Sequence, residues 1–328
     1  MPDLIFHIGM PKCASGTIQN KVFYGTPGYL GTGKQVPVRE NFAKQFQTFC
    51  PIGPRFRGNM GAARKWRNQV LQHGAEAWPG IERLIASTEF LTNRNKLHPR
   101  PIVPFLKRFS RDVWLDGQVK VILVLRNQAD RIASGYAQIS SGIYGASQAH
   151  FEGYVSRLLK HDAKLLDLSS WVEDLFQALG NENICVLLME EIGSVSFWNN
   201  LKTFTNLEEF DPTSMISENG MNQRKTSANT WRISEFSAWN RSKSQAGKVV
   251  GLLWPGGRWH LMRRRTALTL AGGFSLLHSM NPARLRERHR GDCIVLTDEI
   301  RQRIREQARP YNDRLSMLLE KDLSAIGY

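Results

Sequence analysis

Val119-Lys120-Val121-Ile122-Leu123-Val124-Leu125 is an almost unbroken apolar run that ends at Arg126 and Asn127. A strand with one wet face alternates apolar and polar residues. A run with one charge in seven suits a strand covered on both faces, as in a parallel sheet. Three shorter runs have the same character: Leu4 to Ile8 before Gly9, Leu84 to Ser87 before Thr88 and Glu89, and Ile184 to Met189. Helical patterns separate them. Ile18, Val22 and Phe23 suit one face of a helix beginning at Thr17, a helix-like stretch follows Asn127 to about Ser140, and Leu165 to Leu179 is amphipathic. A last helix is predicted from Asp298 to about Lys321, with Thr297 as its N-cap and Asp298 and Glu299 in its first turn. Residues 25–80 scatter Gly, Pro and aromatic residues and predict loops and short helices. Strands alternating with helices imply an α/β fold, a central parallel sheet flanked by helices in three layers. Ligands of such sheets bind at the C-terminal ends of the strands, where Gly9–Thr17, Glu89 and Arg126 are expected to meet.

The segment Gly9-Met10-Pro11-Lys12-Cys13-Ala14-Ser15-Gly16-Thr17 joins the first strand to a helix. Small residues let backbone N–H groups close around an anion, and the helix N-terminus adds positive potential. Lys12 adds a full charge, and Ser15 and Thr17 add hydroxyls. The loop is P-loop-like without being a Walker A motif, which needs Lys directly after the last Gly and a Ser or Thr after that Lys. Here Lys12 precedes Gly16.

A second candidate follows the strand at 119–125. Arg126 stands at its end, and Arg131 and Ser134, three apart, share a face of the next helix. An Arg with a hydroxyl is a sensible clamp for a phosphate dianion.

Phe6-His7-Ile8-Gly9-Met10-Pro11-Lys12-Cys13-Ala14-Ser15-Gly16-Thr17-Ile18-Gln19 resembles the 5′-phosphosulfate loop of sulfotransferases that use 3′-phosphoadenosine-5′-phosphosulfate (PAPS). The resemblance implies that Lys12 meets the bridging oxygen and the leaving 5′-phosphate. The amides and hydroxyls of Cys13, Ala14, Ser15, Gly16, Thr17 and Ile18 would hold that phosphate. Residues 121–136 resemble the family's 3′-phosphate site, which places Arg126 and Ser134 as ligands; Gln128 stands where the family carries Pro. Ala86–Leu91 and Leu168–Glu190 are similar to segments of bacterial and Golgi-type carbohydrate sulfotransferases. The implied activity is in-line transfer of a sulfuryl group from PAPS to a carbohydrate or glycolipid hydroxyl. Adenosine 3′,5′-bisphosphate is the product, and no metal is implied. Glu89, after a predicted strand, is the expected general base, with His150 and His161 as alternatives; His7 reads as a satisfied core histidine. Arg224 and Lys225, in Gly220–Thr226, are candidates for a late loop that reaches the 3′-phosphate.

The chain has 328 residues and a net charge of +15, so polyanionic partners are favoured. The expectation is one domain over 1–328 with a basic insertion at about 211–295. Within 241–290 eleven Lys and Arg face one acid, Glu287, and Trp254, Trp259 and Leu261 are interleaved. That stretch reads as an acceptor-facing surface, a contact with anionic membrane, or a solvated face. Cys13, Cys50, Cys185 and Cys293 lie far apart without metal-ligand spacing, and the N-terminus lacks the pattern of a signal peptide. A cytoplasmic enzyme is expected, at the inner membrane face if the basic stretch docks there. The rival readings are a small P-loop-type kinase and a basic nucleic-acid-binding protein, although the chain has no helix-turn-helix, zinc or RNA-recognition signature and nucleic acid is not an expected partner.

Overall fold

The structure, a computed structural model, describes residues 1–10, 12–31, 41–50, 58–87, 102–143, 145–208, 210–217, 229–234 and 293–328. The chain forms two compact units: Met1–Gln128 with Ala163–Gln223 and Gln307–Tyr328, and Ala129–Asp162 with Arg224–Glu306.

The first unit is built on four parallel strands, β1 (Asp3–His7), β2 (Arg83–Ser87), β3 (Val119–Leu125) and β4 (Ile184–Leu188), in the order β2-β1-β3-β4. Every residue of β3 except Lys120 is buried, which is why its sequence is continuously apolar. The two faces of β1 meet different helices. Phe6 packs at 4.5 Å between ring centroids on Phe46 of α2 (Phe42–Phe49). Phe46 in turn stacks edge-on against Trp66 of α3 (Met60–Ala77) and Phe109 of α4 (Ile102–Asp112). On the opposite face His7 lies against Phe23, at the end of a helical run from Ser15 to Phe23 whose last five residues have π-helical hydrogen bonding. Helices on both faces make the three layers expected from the sequence.

The eighteen-residue α3 is longer than anything predicted for residues 25–80. Its buried face consists only of Ala63, Trp66, Val70 and Gly74, too small and mixed a stripe to stand out as apolar periodicity. Asn59 caps it by accepting from Ala62 N at 3.0 Å, and Trp66 Nε1 donates to Phe42 O at 2.9 Å, which ties it to α2.

The second unit contains α5 (Gln128–Ile139) beyond its first residue, α6 (Gln148–His161), an antiparallel pair β5 (Thr230–Arg232) and β6 (Cys293–Val295), and the start of α7 (Asp298–Leu319). Thr297 caps α7 as predicted, accepting from Ile300 N at 3.3 Å. The side-chain amide of Gln148 pairs with both backbone groups of Val295, and Ser140 Oγ accepts from Ser234 N. The basic stretch 241–290 lies outside the described residues, and among those residues no helix is long and apolar enough to cross a membrane.

Candidate functional site

The strand order places a switch point between β1 and β3. The chain leaves β1 toward β2 on one side and leaves β3 toward β4 on the other, so a crevice opens at their C-terminal ends. Backbone pairing continues past β1, with Ile8 N donating to Ile122 O and Met10 N to Val124 O. The loop that follows is therefore held beside the end of β3.

That loop is shaped by two residues in the left-handed region, Lys12 (φ 70°) and Ala14 (φ 55°). A side-chain-bearing residue held there costs of order 1–3 kcal/mol, and such strain gathers at functional sites. Backbone of alternating hand is the arrangement that can turn N–H groups to one side and form an anion-binding nest. Cys13 N bonds Met10 O, and Thr17 N and Ile18 N both bond Ala14 O. The amides of Ala14, Ser15 and Gly16 have no hydrogen-bond partner among the described residues, and no side chain caps the helical run. Cys13 and Ile18 are fully buried, whereas Lys12 and Gly16 are exposed. A β-carbon on Gly9 would lie 2.5 Å from Ser15 Oγ and 3.1 Å from His7 Nε2, so glycine is required by space rather than by φ.

Arg126 joins this loop to β3. It is 7% exposed and donates from Nη1 to Lys12 O at 3.0 Å, so the guanidinium rests against the turn of the nest. The next residue fixes the exit of β3. Asn127 donates both its backbone N–H and Nδ2 to Glu190 Oε1, each at 2.9 Å. Glu190 directly follows β4, and burial raises its carboxyl above the ordinary 4.5; the Asn127 hydrogen bond and the charge of Arg126 offset part of that. Gln128 is 2% exposed and donates from Nε2 to Leu166 O (3.1 Å) and to Asn312 Oδ1 (2.7 Å). A proline would preset the helix start locally, whereas here a tertiary tie to the C-terminal helix does so.

His7 departs from the sequence reading. Its Nδ1 meets Ser87 Oγ at 2.7 Å, but Nε2 has no partner among the described residues, and burial pushes its pKa from 6.5 down to about 4. Ser87 also accepts from Gln19 Nε2 at 2.9 Å. Gln19 and Ser87 both fall in family-like stretches of the sequence, but nothing there links either of them to His7. Lys12, Ala14, Ser15, Gly16 and Arg126 are thus brought together in the first unit. Ser134 is half-buried in α5, within the second unit. Glu89, Arg224 and Lys225 lie outside the described residues. Of the alternative bases, His150 Nδ1 pairs with Tyr136 Oη at 2.9 Å, and His161 ends α6, exposed.

These features define an α/β protein with a loop of open amides at the switch point of its parallel sheet. Among solved structures, a sulfotransferase from Alicyclobacillus acidocaldarius matches 99% of this chain and 98% of its own, with a TM-score of 0.51 and 14% sequence identity. That likeness shows the fold. No protein-family model matches the sequence, and no curated protein matches it.

Proposed function

We propose that this chain is a sulfotransferase that moves a sulfuryl group from PAPS to a hydroxyl of a carbohydrate or glycolipid. The observation that carries the reading is the left-handed nest at Lys12 and Ala14, with open amides at Ala14, Ser15 and Gly16 and with Arg126 donating to its turn. A nest of amides beside a guanidinium suits a phosphate, and the fold shared with a sulfotransferase supports a phosphosulfate as its ligand. The sequence resemblance assigns residues to both ends of the nucleotide. The nest would hold the 5′-phosphate, while Arg126 and Ser134, with Arg224 and Lys225 from the later loop, would take the 3′-phosphate.

In this reaction the acceptor oxygen attacks sulfur in line. The bond from sulfur to the bridging oxygen breaks, and its electron pair stays on the departing 5′-phosphate. Lys12 and the nest amides stabilise that developing charge, the kind of preorganised donor set that dominates catalysis when little covalent chemistry falls to the protein. The acceptor's proton passes to a base, for which Glu89 is the proposed residue. Cys13, Thr17 and Ile18 act by holding the loop's backbone.

The proposed setting is the cytoplasm. The stretch 241–290 is proposed to face the acceptor or the anionic inner leaflet; flotation with anionic liposomes tests the membrane part, and no binding removes it. The central test is calorimetric titration with adenosine 3′,5′-bisphosphate against ADP and AMP, without metal. Micromolar binding that needs the 3′-phosphate and is lost in Arg126→Ala supports the reading, and labelled PAPS then screens acceptors. Equal binding of ADP, or none of the bisphosphate, overturns it.

A further inference from the structure

A line of polar side chains runs beneath the nest from the end of β2. Gln19 Nε2 donates to Ser87 Oγ at 2.9 Å and thereby takes one lone pair of that hydroxyl. Among the described residues the single proton of Ser87 has one acceptor within reach, His7 Nδ1 at 2.7 Å. Nδ1 is then an acceptor, and the neutral ring carries its proton on Nε2. The low pKa of His7 keeps the ring neutral at physiological pH. With His7 only 1% exposed, the Nε2–H cannot reach bulk water, and it has no partner among the described residues. The same holds for Ser15 Oγ, 2% exposed at the first position of the helical run. Both atoms converge on the empty β-position of Gly9. Buried polar groups without partners are rare in native proteins, and two at one point beside an anion nest need an explanation.

We infer that His7 is a positioning residue for the anion site: its Nε2–H donates to Ser15 Oγ when the nest is filled, which directs the Ser15 hydroxyl proton onto the bound anion. Ser87 and Gln19 hold the tautomer that makes this possible. Three donors to the 5′-phosphate then come from backbone amides and a fourth from Ser15, oriented from below. Naming the anion as the 5′-phosphate of the nucleotide rests on the proposed function; the role toward an anion rests on the geometry alone.

The test uses the full chain and two ligands, adenosine 3′,5′-bisphosphate and adenosine 3′-monophosphate, which lacks the 5′-phosphate. One hydrogen bond to a charged group corresponds to about tenfold or more in affinity. His7→Phe is expected to weaken bisphosphate binding about tenfold and to leave the monophosphate unchanged. His7→Gln, whose amide can place an N–H near the Nε2 position, is expected to restore most of the affinity. A second measurement needs no variant: nitrogen-15 spectra of the parent's imidazole are expected to show Nε2 protonated at pH 7, with its N–H resonance moving on addition of the bisphosphate or of inorganic phosphate. A parent that binds the bisphosphate while His7→Phe binds it equally overturns this inference alone, as does an Nδ1-protonated ring. A parent that ignores the nucleotide while Nε2–H still moves with inorganic phosphate overturns the donor assignment and supports the anion role. An Nε2–H resonance that answers to neither ligand overturns the inference.

Discussion

Replacing Glu190 by alanine tests how the exit of β3 is held. The carboxylate accepts from both Asn127 N and Asn127 Nδ2 at 2.9 Å, and Asn127 is 5% exposed, so water does not readily take its place. A buried donor stripped of its acceptor costs about 1–3 kcal/mol, and two give roughly 2–6 kcal/mol. Part of this returns because burial already disfavours the carboxylate's charge, as its raised pKa records. The net expectation for Glu190→Ala is about 2–3 kcal/mol of lost stability in urea unfolding at pH 7, with an unchanged denaturant slope. Glu190→Gln keeps an acceptor oxygen and removes the charge, so it should lie within about 1 kcal/mol of the parent. The pH dependence has a definite sign. An acid whose folded pKa exceeds its unfolded value of 4.5 binds more protons in the native state between the two. Its contribution is therefore full below 4.5 and declines as pH rises through the folded value. Glu190→Gln should remove that decline. A loss below about 1 kcal/mol in Glu190→Ala, or equal damage from both variants, would refute the view that this carboxylate holds the turn carrying Arg126.

Lys12→Ala should lower sulfuryl-transfer turnover by roughly 10²–10³ with little change in melting temperature, since Lys12 is exposed; more than half the parent's rate would remove it from the chemistry. Gly9→Ala puts a β-carbon 2.5 Å from Ser15 Oγ and 3.1 Å from His7 Nε2. Overpacking of that kind costs about 1–3 kcal/mol, and bisphosphate affinity should fall with it; unchanged calorimetry would show that the nest tolerates the methyl group. His7 predicts an acid-sensitive component of stability. Its pKa of about 4 lies below the unfolded 6.5, so the unfolded chain binds more protons between those values, and stability is full above 6.5 and drains away toward 4. At about 1.4 kcal/mol per pH unit the component amounts to roughly 3 kcal/mol. The stability difference between pH 7.5 and pH 4.5 should shrink in His7→Gln, and an equal difference in the two proteins would contradict the burial argument.

The four core strands are legible in the sequence to within a residue, because a strand buried on both faces must be apolar throughout. The turn after β1 and the position of Arg126 at the end of β3 are legible because small residues and a single cation stand out against the apolar runs they follow. What escapes the sequence is decided through space. Ser87 lies 80 residues from His7, so nothing local reveals that it satisfies one ring nitrogen and leaves the other. Gln128 looks like the loss of a family proline until Asn312, 184 residues on, supplies its acceptor. Glu190 is visible in the family-like stretch, but its hold on Asn127 is not. The helix α3 hides because alanine, glycine and one tryptophan make up most of its buried face.

The pairing of β5 with β6 has a consequence for how this chain tolerates change. Arg232 and Cys293 are strand partners, so everything between them departs from and comes back to one doorway. Shortening a connection of about 60 residues to about six alters the closure entropy by only about 2 kcal/mol, in favour of the shorter chain. Gln148 holds Val295 from outside that connection, while Ser140 accepts from Ser234 N near the connection's start. Both ends of the connection are set by the strand pair, so a change of length within residues 235–292 is expected to cost little stability.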